Sequence, residues 1–170
     1  MAEKSVNYEQ LERNKSVVRE ILGAFNTGDT SVIRKLLHPD VTELVAPSHG
    51  MEEQINMPTR NRVEQEIIND NTAFPDHVFH EDDIMAEDDR VILRWTFEGT
   101  HTGPLFGRKP TGKRVKTYGY EMVKLRDGLI VEHKDDGGAT LIDVLRQLGW
   151  LDPDMMGKLN LLNHNDAVRE

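Results

Sequence analysis

The chain has 170 residues, no cysteine, a 37% hydrophobic fraction and a formal net charge of −9. The length suits one domain, and the missing thiols exclude disulfides, a cysteine nucleophile and a cysteine metal site. The acidic balance disfavours nucleic acid and anionic lipid as partners, and no apolar run is long enough for a membrane helix.

From Asn7 to Asn26, Leu11, Val18, Ile21, Leu22 and Phe25 recur at helical spacing, with Gly28 placed as a left-handed stop. Asp29 or Thr30 caps a second helix carrying Val32, Ile33, Leu36 and Leu37, and His38-Pro39-Asp40 ends it. Val41 to Ala46 reads as a strand, and Pro47 to Met57 as a loop. Pro58 suits the first turn of a helix running to about Asp70, with Val63, Ile67 and Ile68 as a thin apolar face.

The second half reads as sheet. Strands are predicted over Val78 to Ala86, Val91 to His101, Arg114 to Arg126 and Leu129 to about Asp136, the last two joined by the hairpin signal Asp127-Gly128. A final helix spans Ala139 to Leu148 and stops at Gly149. Helices first and long antiparallel strands later predict an α+β fold, with a curved sheet packed against helices. Residues 1–150 form the expected domain, and 151–170 a tail acting as a lid or oligomer contact.

The chain resembles the SnoaL-like polyketide cyclase (ester cyclase) family of the nuclear transport factor 2-like superfamily. The resemblance rests on an ordered set of motifs. They are Asn14-Lys15, Asn26-Thr27-Gly28-Asp29, His38-Pro39-Asp40-Val41, Ala73-Phe74-Pro75-Asp76, and Asp89-Arg90-Val91 leading to Arg94-Trp95-Thr96. They continue with Gly99-Thr100-His101-Thr102-Gly103-Pro104, Pro110-Thr111-Gly112, Asp127 to His133, and Gln147-Leu148-Gly149. The resemblance implies a cone-shaped α+β barrel around an apolar pocket, usually in a homo-oligomer. It also implies a general acid/base aspartate for an intramolecular aldol closure. The chain departs from the pattern there: Lys134 stands at the family's tryptophan position and Gly138 at its aspartate position.

A two-residue hairpin loop pairs Arg126 with Leu129, Val123 with Glu132, Glu121 with Lys134 and Gly119 with Asp136. That register puts Glu121, Glu132, Lys134 and Asp136 on the concave face. A one-residue bulge presents Asp135 and His133 instead. On the neighbouring strand Trp95, Phe97 and His101 share a face. The expected catalytic groups are therefore His101, Asp136 and Asp135, with Trp95, Phe97, Glu121, Glu132 and Lys134 binding substrate.

Blander readings stand beside these. His101 can be a histidine satisfied by a neighbouring carbonyl, Glu121 with Lys134 a structural ion pair, and the run from Lys134 to Gly138 an exposed turn. His77 and His80 fall on opposite strand faces and do not read as a metal site, while Tyr118 and Tyr120 suit a subunit interface.

The expected function is a cofactor-free, metal-free cyclase or isomerase acting on an apolar polyketide-like intermediate, by aldol-type or epoxide-opening ring closure. The alternatives are a cofactor-independent hydroxylase and a non-catalytic binder of small molecules. The expected setting is cytoplasmic, as a homodimer, without nucleic acid or membrane.

Overall fold

Residues 7–43, 57–135 and 137–152 are described by the structure, a computed structural model. Helix α1 spans Tyr8–Thr27, capped by the Asn7 side chain, which accepts from the Gln10 N–H, and stopped by Gly28 at φ 75°. Asn14, Val18, Ile21 and Ala24 form its buried stripe. The expected second helix is only a 3₁₀ turn, Thr30–Val32, and one α-turn, α2, Ile33–Leu36.

Strand β1 then begins at Leu37 and runs to Glu43, so His38-Pro39-Asp40 lies inside a strand and does not end a helix. Proline is tolerated because β1 is the edge of the sheet and needs no N–H on its outer side. Its expected continuation to Ala46 lies outside the described residues, as does most of the loop from Pro47. Helix α3 spans Thr59–Ala73, with Pro58 as its N-cap residue.

Strands β2 (Val78–Glu87), β3 (Arg90–Thr100), β4 (Arg114–Arg126) and β5 (Leu129–Asp135) follow, then α4 (Gly137–Leu148). The five strands are ordered β1-β5-β4-β3-β2 in one curved open sheet. Antiparallel pairing runs from β2 to β5, whereas β1 joins β5 in parallel, so the sheet is mixed rather than wholly antiparallel. The architecture is α+β, as the order of elements predicts.

Alternation along β3 and β4 separates an inner face, with Val91, Leu93, Phe97, Val115, Val123 and Leu125 buried, from an outer face where Tyr118 and Tyr120 are exposed. Two apolar clusters hold the helices to the inner face. One joins α1, α3 and the β1 side of the sheet through residues such as Val18, Ile33, Ile67, Leu93 and Ile130. The other joins Phe74, Phe97, Leu105, Val115, Leu145 and Trp150 at the opposite end. Each fully buried Ile or Leu contributes about 1.5–3 kcal/mol. No helix among the described residues is long and apolar enough to cross a membrane.

Polar clasps fix the helices against the strands. Asn26 accepts from the Phe79 N–H at 2.7 Å and donates to its carbonyl at 2.9 Å, which locks the end of α1 to β2. Gln147 makes the same two-way bond with Lys116, at 3.0 and 2.8 Å, and holds α4 on β4.

Candidate active site

Where the two clusters meet, a cavity of about 250 Å³ opens between the helices and the inner face of the sheet. Ile21, Leu22 and Phe25 of α1, Trp95 and Phe97 of β3, and Leu105 and Phe106 of the β3–β4 loop make its walls largely apolar. The polar groups are Arg62, Glu66, Asn69 and Asp70 from α3, Thr117, Glu121 and His133 from the sheet, and Thr140 from α4.

The sheet-side pair depends on a bulge. Leu129 and Ile130 follow the straight hairpin register, facing Arg126 and Leu125, but the next pair is Lys124 with Glu132. Val131 is the extra residue, so His133 faces Val123, Lys134 faces Met122 and Asp135 faces Glu121. His133 therefore turns inward as the diagonal neighbour of Glu121, and its Nε2 lies 3.1 Å from Glu121 Oε1. Both side chains are largely shielded, at 13% and 14% exposure.

The same slip removes Glu132 and Lys134 from the site. Glu132 pairs with Lys124 at 3.5 Å and borders a surface groove, and neither residue lines the cavity. The straight register predicted for this hairpin is corrected by the bulge, because one inserted residue reverses the facing of every later side chain. Asp135 sits opposite Glu121 in the register, with its side chain outside the described set. Asp136 lies outside the described residues.

His101 is fully buried on the predicted face of the β3 end but is not part of the cavity lining. It packs between Phe74 and Trp150, with ring centroids at 5.3 and 5.0 Å. Its Nδ1 accepts from the Thr111 N–H at 3.0 Å, while its backbone N–H donates to Lys113 and its carbonyl accepts from Gly112. A ring that accepts at Nδ1 carries its proton on Nε2. Burial lowers its pKa, partly opposed by the nearby Gly103 carbonyl. The ring is thus a neutral clasp joining Gly99-Thr100-His101-Thr102-Gly103 to Pro110-Thr111-Gly112.

The same loop also fastens α3. The N–H groups of Thr102 and Gly103 both donate to the Ala73 carbonyl at 3.0 Å, capping the helix that carries Asp70. Asp76 accepts from the Thr100 N–H and hydroxyl at 2.6 and 2.7 Å. The glycine-flanked histidine therefore positions a cavity wall from behind.

Asp70 was not singled out by sequence reasoning. It falls three residues after Ile67 and seven after Val63, so it stands on the helix's apolar stripe, the signal that marks it. Burial pushes its carboxyl up to about 7. Its side chain is half-buried and lines the cavity.

His77 is held by backbone, with Nδ1 at 2.7 Å from the Phe74 carbonyl and Nε2 at 3.0 Å from that of Phe25. His80 instead faces Glu98 at 3.4 Å. Among the described residues no group of three or more acidic or histidine side chains is arranged to hold a metal ion.

The profile of the SnoaL-like polyketide cyclase family matches residues 15–148. Among solved structures, the chain is similar to AclR from Streptomyces galilaeus, a proposed hydroxylase, with 32% identity and a TM-score of 0.67 over 84% of this chain and 88% of that one. It is also similar to IdmH from Streptomyces antibioticus, a proposed polyketide cyclase, with 29% identity and a TM-score of 0.65 over 80% and 98% of the two chains. A proposed polyketide cyclase from Bacillus cereus shares the fold at 16% identity and a TM-score of 0.68, over 88% of this chain and 89% of that one. No curated protein matches the sequence. The ordered motifs, the helix-covered sheet and the profile match together place this chain in the SnoaL-like polyketide cyclase family.

Proposed function

We propose that the protein closes or isomerises rings in an apolar, polyketide-like carbonyl compound, with its own side chains as acid and base. The observation that carries this reading is the Glu121 and His133 pair, 3.1 Å apart, on the wall of an otherwise apolar cavity. Glu121 accepts a proton from the carbon beside a carbonyl. His133 holds the carboxylate and stabilises its charge. The apolar walls exclude water, which keeps the resulting enolate for intramolecular attack on a second carbonyl. The same base, accepting a hydroxyl proton, serves an epoxide-opening closure. Asp135 and Asp136 keep an acid/base role in this reading, open to test by asparagine substitution.

The experiment uses 2-tetralone, a compact apolar ketone with acidic α-hydrogens. Exchange of those hydrogens in deuterium oxide, followed by proton NMR, is expected to run well above the buffer rate with the wild type. Glu121→Gln should return it to background. Wild-type exchange at the buffer rate, with 2-tetralone bound, would overturn the reading.

A second reading, cofactor-independent hydroxylation in which dioxygen supplies the hydroxyl oxygen and the substrate itself supplies the two electrons that reduce the other oxygen atom to water, is favoured by the 32% identity to AclR. It predicts oxygen uptake stoichiometric with product, whereas a proton-transfer closure consumes none.

A further inference from the structure

Asp70 differs from every other polar group around the cavity. It lies in the last turn of α3, at the negative pole of the helix, where a carboxylate is disfavoured. Its side chain lines the cavity and makes no hydrogen bond or ion pair with a described residue. The next two residues are spent on structure: Asn71 donates to the Phe25 and Ile67 carbonyls, and Thr72 to that of Ile68.

The charged and titratable groups sharing the cavity are few. On α3 they are Arg62 and Glu66, and on the sheet Glu121 and His133. Arg62 lies eight residues back along the helix, about 12 Å along its axis. The stretch of α1 that lines the cavity supplies only Ile21, Leu22 and Phe25, and α4 supplies Thr140, Leu141 and Val144. Of the three cavity carboxyls, Glu66 has an interaction of its own and Glu121 lies 3.1 Å from His133 Nε2, whereas Asp70 has no side-chain partner among the described residues and stands at the helix C-terminus. Glu121 and Asp70, in such different surroundings, divide into base and acid.

We propose that Asp70 is the proton donor of the cavity, protonating the substrate oxygen on which charge develops while Glu121, held by His133, removes a proton from carbon. The inference rests on the proton-transfer reading above and adds its second half. In the step, the α-carbon C–H bond breaks and its proton passes to Glu121. The electron pair forms the C=C bond, and the carbonyl π pair moves onto oxygen. That oxygen takes the Asp70 proton. The product is an enol, with Asp70 ionised and Glu121 protonated, and reversal or ring closure resets both. The substrate class is an enolisable carbonyl compound whose oxygen is directed at α3.

Two measurements test this. The first needs no turnover: the infrared difference spectrum of wild type minus Asp70→Asn should show the carbonyl stretch of a protonated carboxyl at pH 6, lost towards pH 8, since the group titrates at about 7. Added 2-naphthol, an enol mimic, should shift that band to lower frequency. The second is 2-tetralone exchange, where Asp70→Asn should lower kcat about 10²-fold with KM little changed and abolish the alkaline limb near neutrality.

A missing band at pH 6, or an Asp70→Asn protein with wild-type rate and pH profile, would overturn the proposal. Glu121→Gln should abolish exchange yet retain the Asp70 band. Absent wild-type exchange with the band and its 2-naphthol shift intact would refute the base reading and leave Asp70 as a protonated donor.

Discussion

Glu121 and His133 meet at 3.1 Å because the bulge at Val131 makes them diagonal neighbours on the inner face of the β4–β5 ladder. The two side chains share one interaction, so their substitutions should not add. A double-mutant cycle with Glu121→Gln and His133→Gln is expected to give a coupling of about 1–2 kcal/mol by urea unfolding. Additive losses would show that the pair contributes no mutual stabilisation.

Asp70 should make the folded state less stable as pH rises. Its folded pKa of about 7 lies above the ordinary 3.8, so between those values the native state binds the extra proton and the unfolded state does not. The stabilising contribution is present below the unfolded pKa and lost as pH rises through the folded one. Asp70→Asn is therefore expected to raise stability at pH 8 by about 1–3 kcal/mol and to change it little below pH 4. Unfolding midpoints at the two pH values decide it. Equal shifts at both would show that ionisation of Asp70 costs the fold nothing.

His101 works in the opposite direction. Its lowered pKa means that the unfolded chain takes up a proton first as pH falls below 6.5, so stability is lost on acidification. His101→Phe cannot accept the Thr111 N–H and should destabilise the protein by about 1–3 kcal/mol at pH 8. The same variant should show a shallower loss of stability from pH 7 to 5. An unchanged acid slope would place that loss in other groups.

Gly103 is required by contact rather than by dihedral angle. A Cβ there would lie 1.8 Å from the Thr72 carbonyl oxygen, which belongs to the helix backbone and cannot step aside. Gly103→Ala is expected to cost more than about 3 kcal/mol and to loosen α3. Gly112 has φ +68° and open space around it, so Gly112→Ala should cost only about 1 kcal/mol. Comparable melting temperatures for the two variants would contradict the close packing of the loop on α3.

The fold was legible because its signals are local and periodic. The stripe from Val18 to Ala24, the alternation along Arg114–Arg126 and the Gly28 and Gly149 stops follow from side-chain spacing and backbone freedom. The motifs carrying the family resemblance were legible too, but Asn26, Asp76, His101 and Gln147 join elements together and none of them lines the cavity. Residues that join elements show in sequence as conspicuous polar and glycine motifs because buried backbone ends demand specific partners.

Sequence alone determined the α+β order, the position of the hairpin and the apolar character of Trp95 and Phe97. Tertiary structure decided which polar groups reach the cavity. One unpaired residue, Val131, exchanged Glu132 and Lys134 for His133, since strand facing has a period of two and a single insertion inverts it. The packing of α3 against α1 and β1 turned Asp70 from one acidic residue among many into a desolvated carboxyl. The physical reason is that desolvation depends on everything surrounding a group, and neighbours distant in sequence supply most of those surroundings.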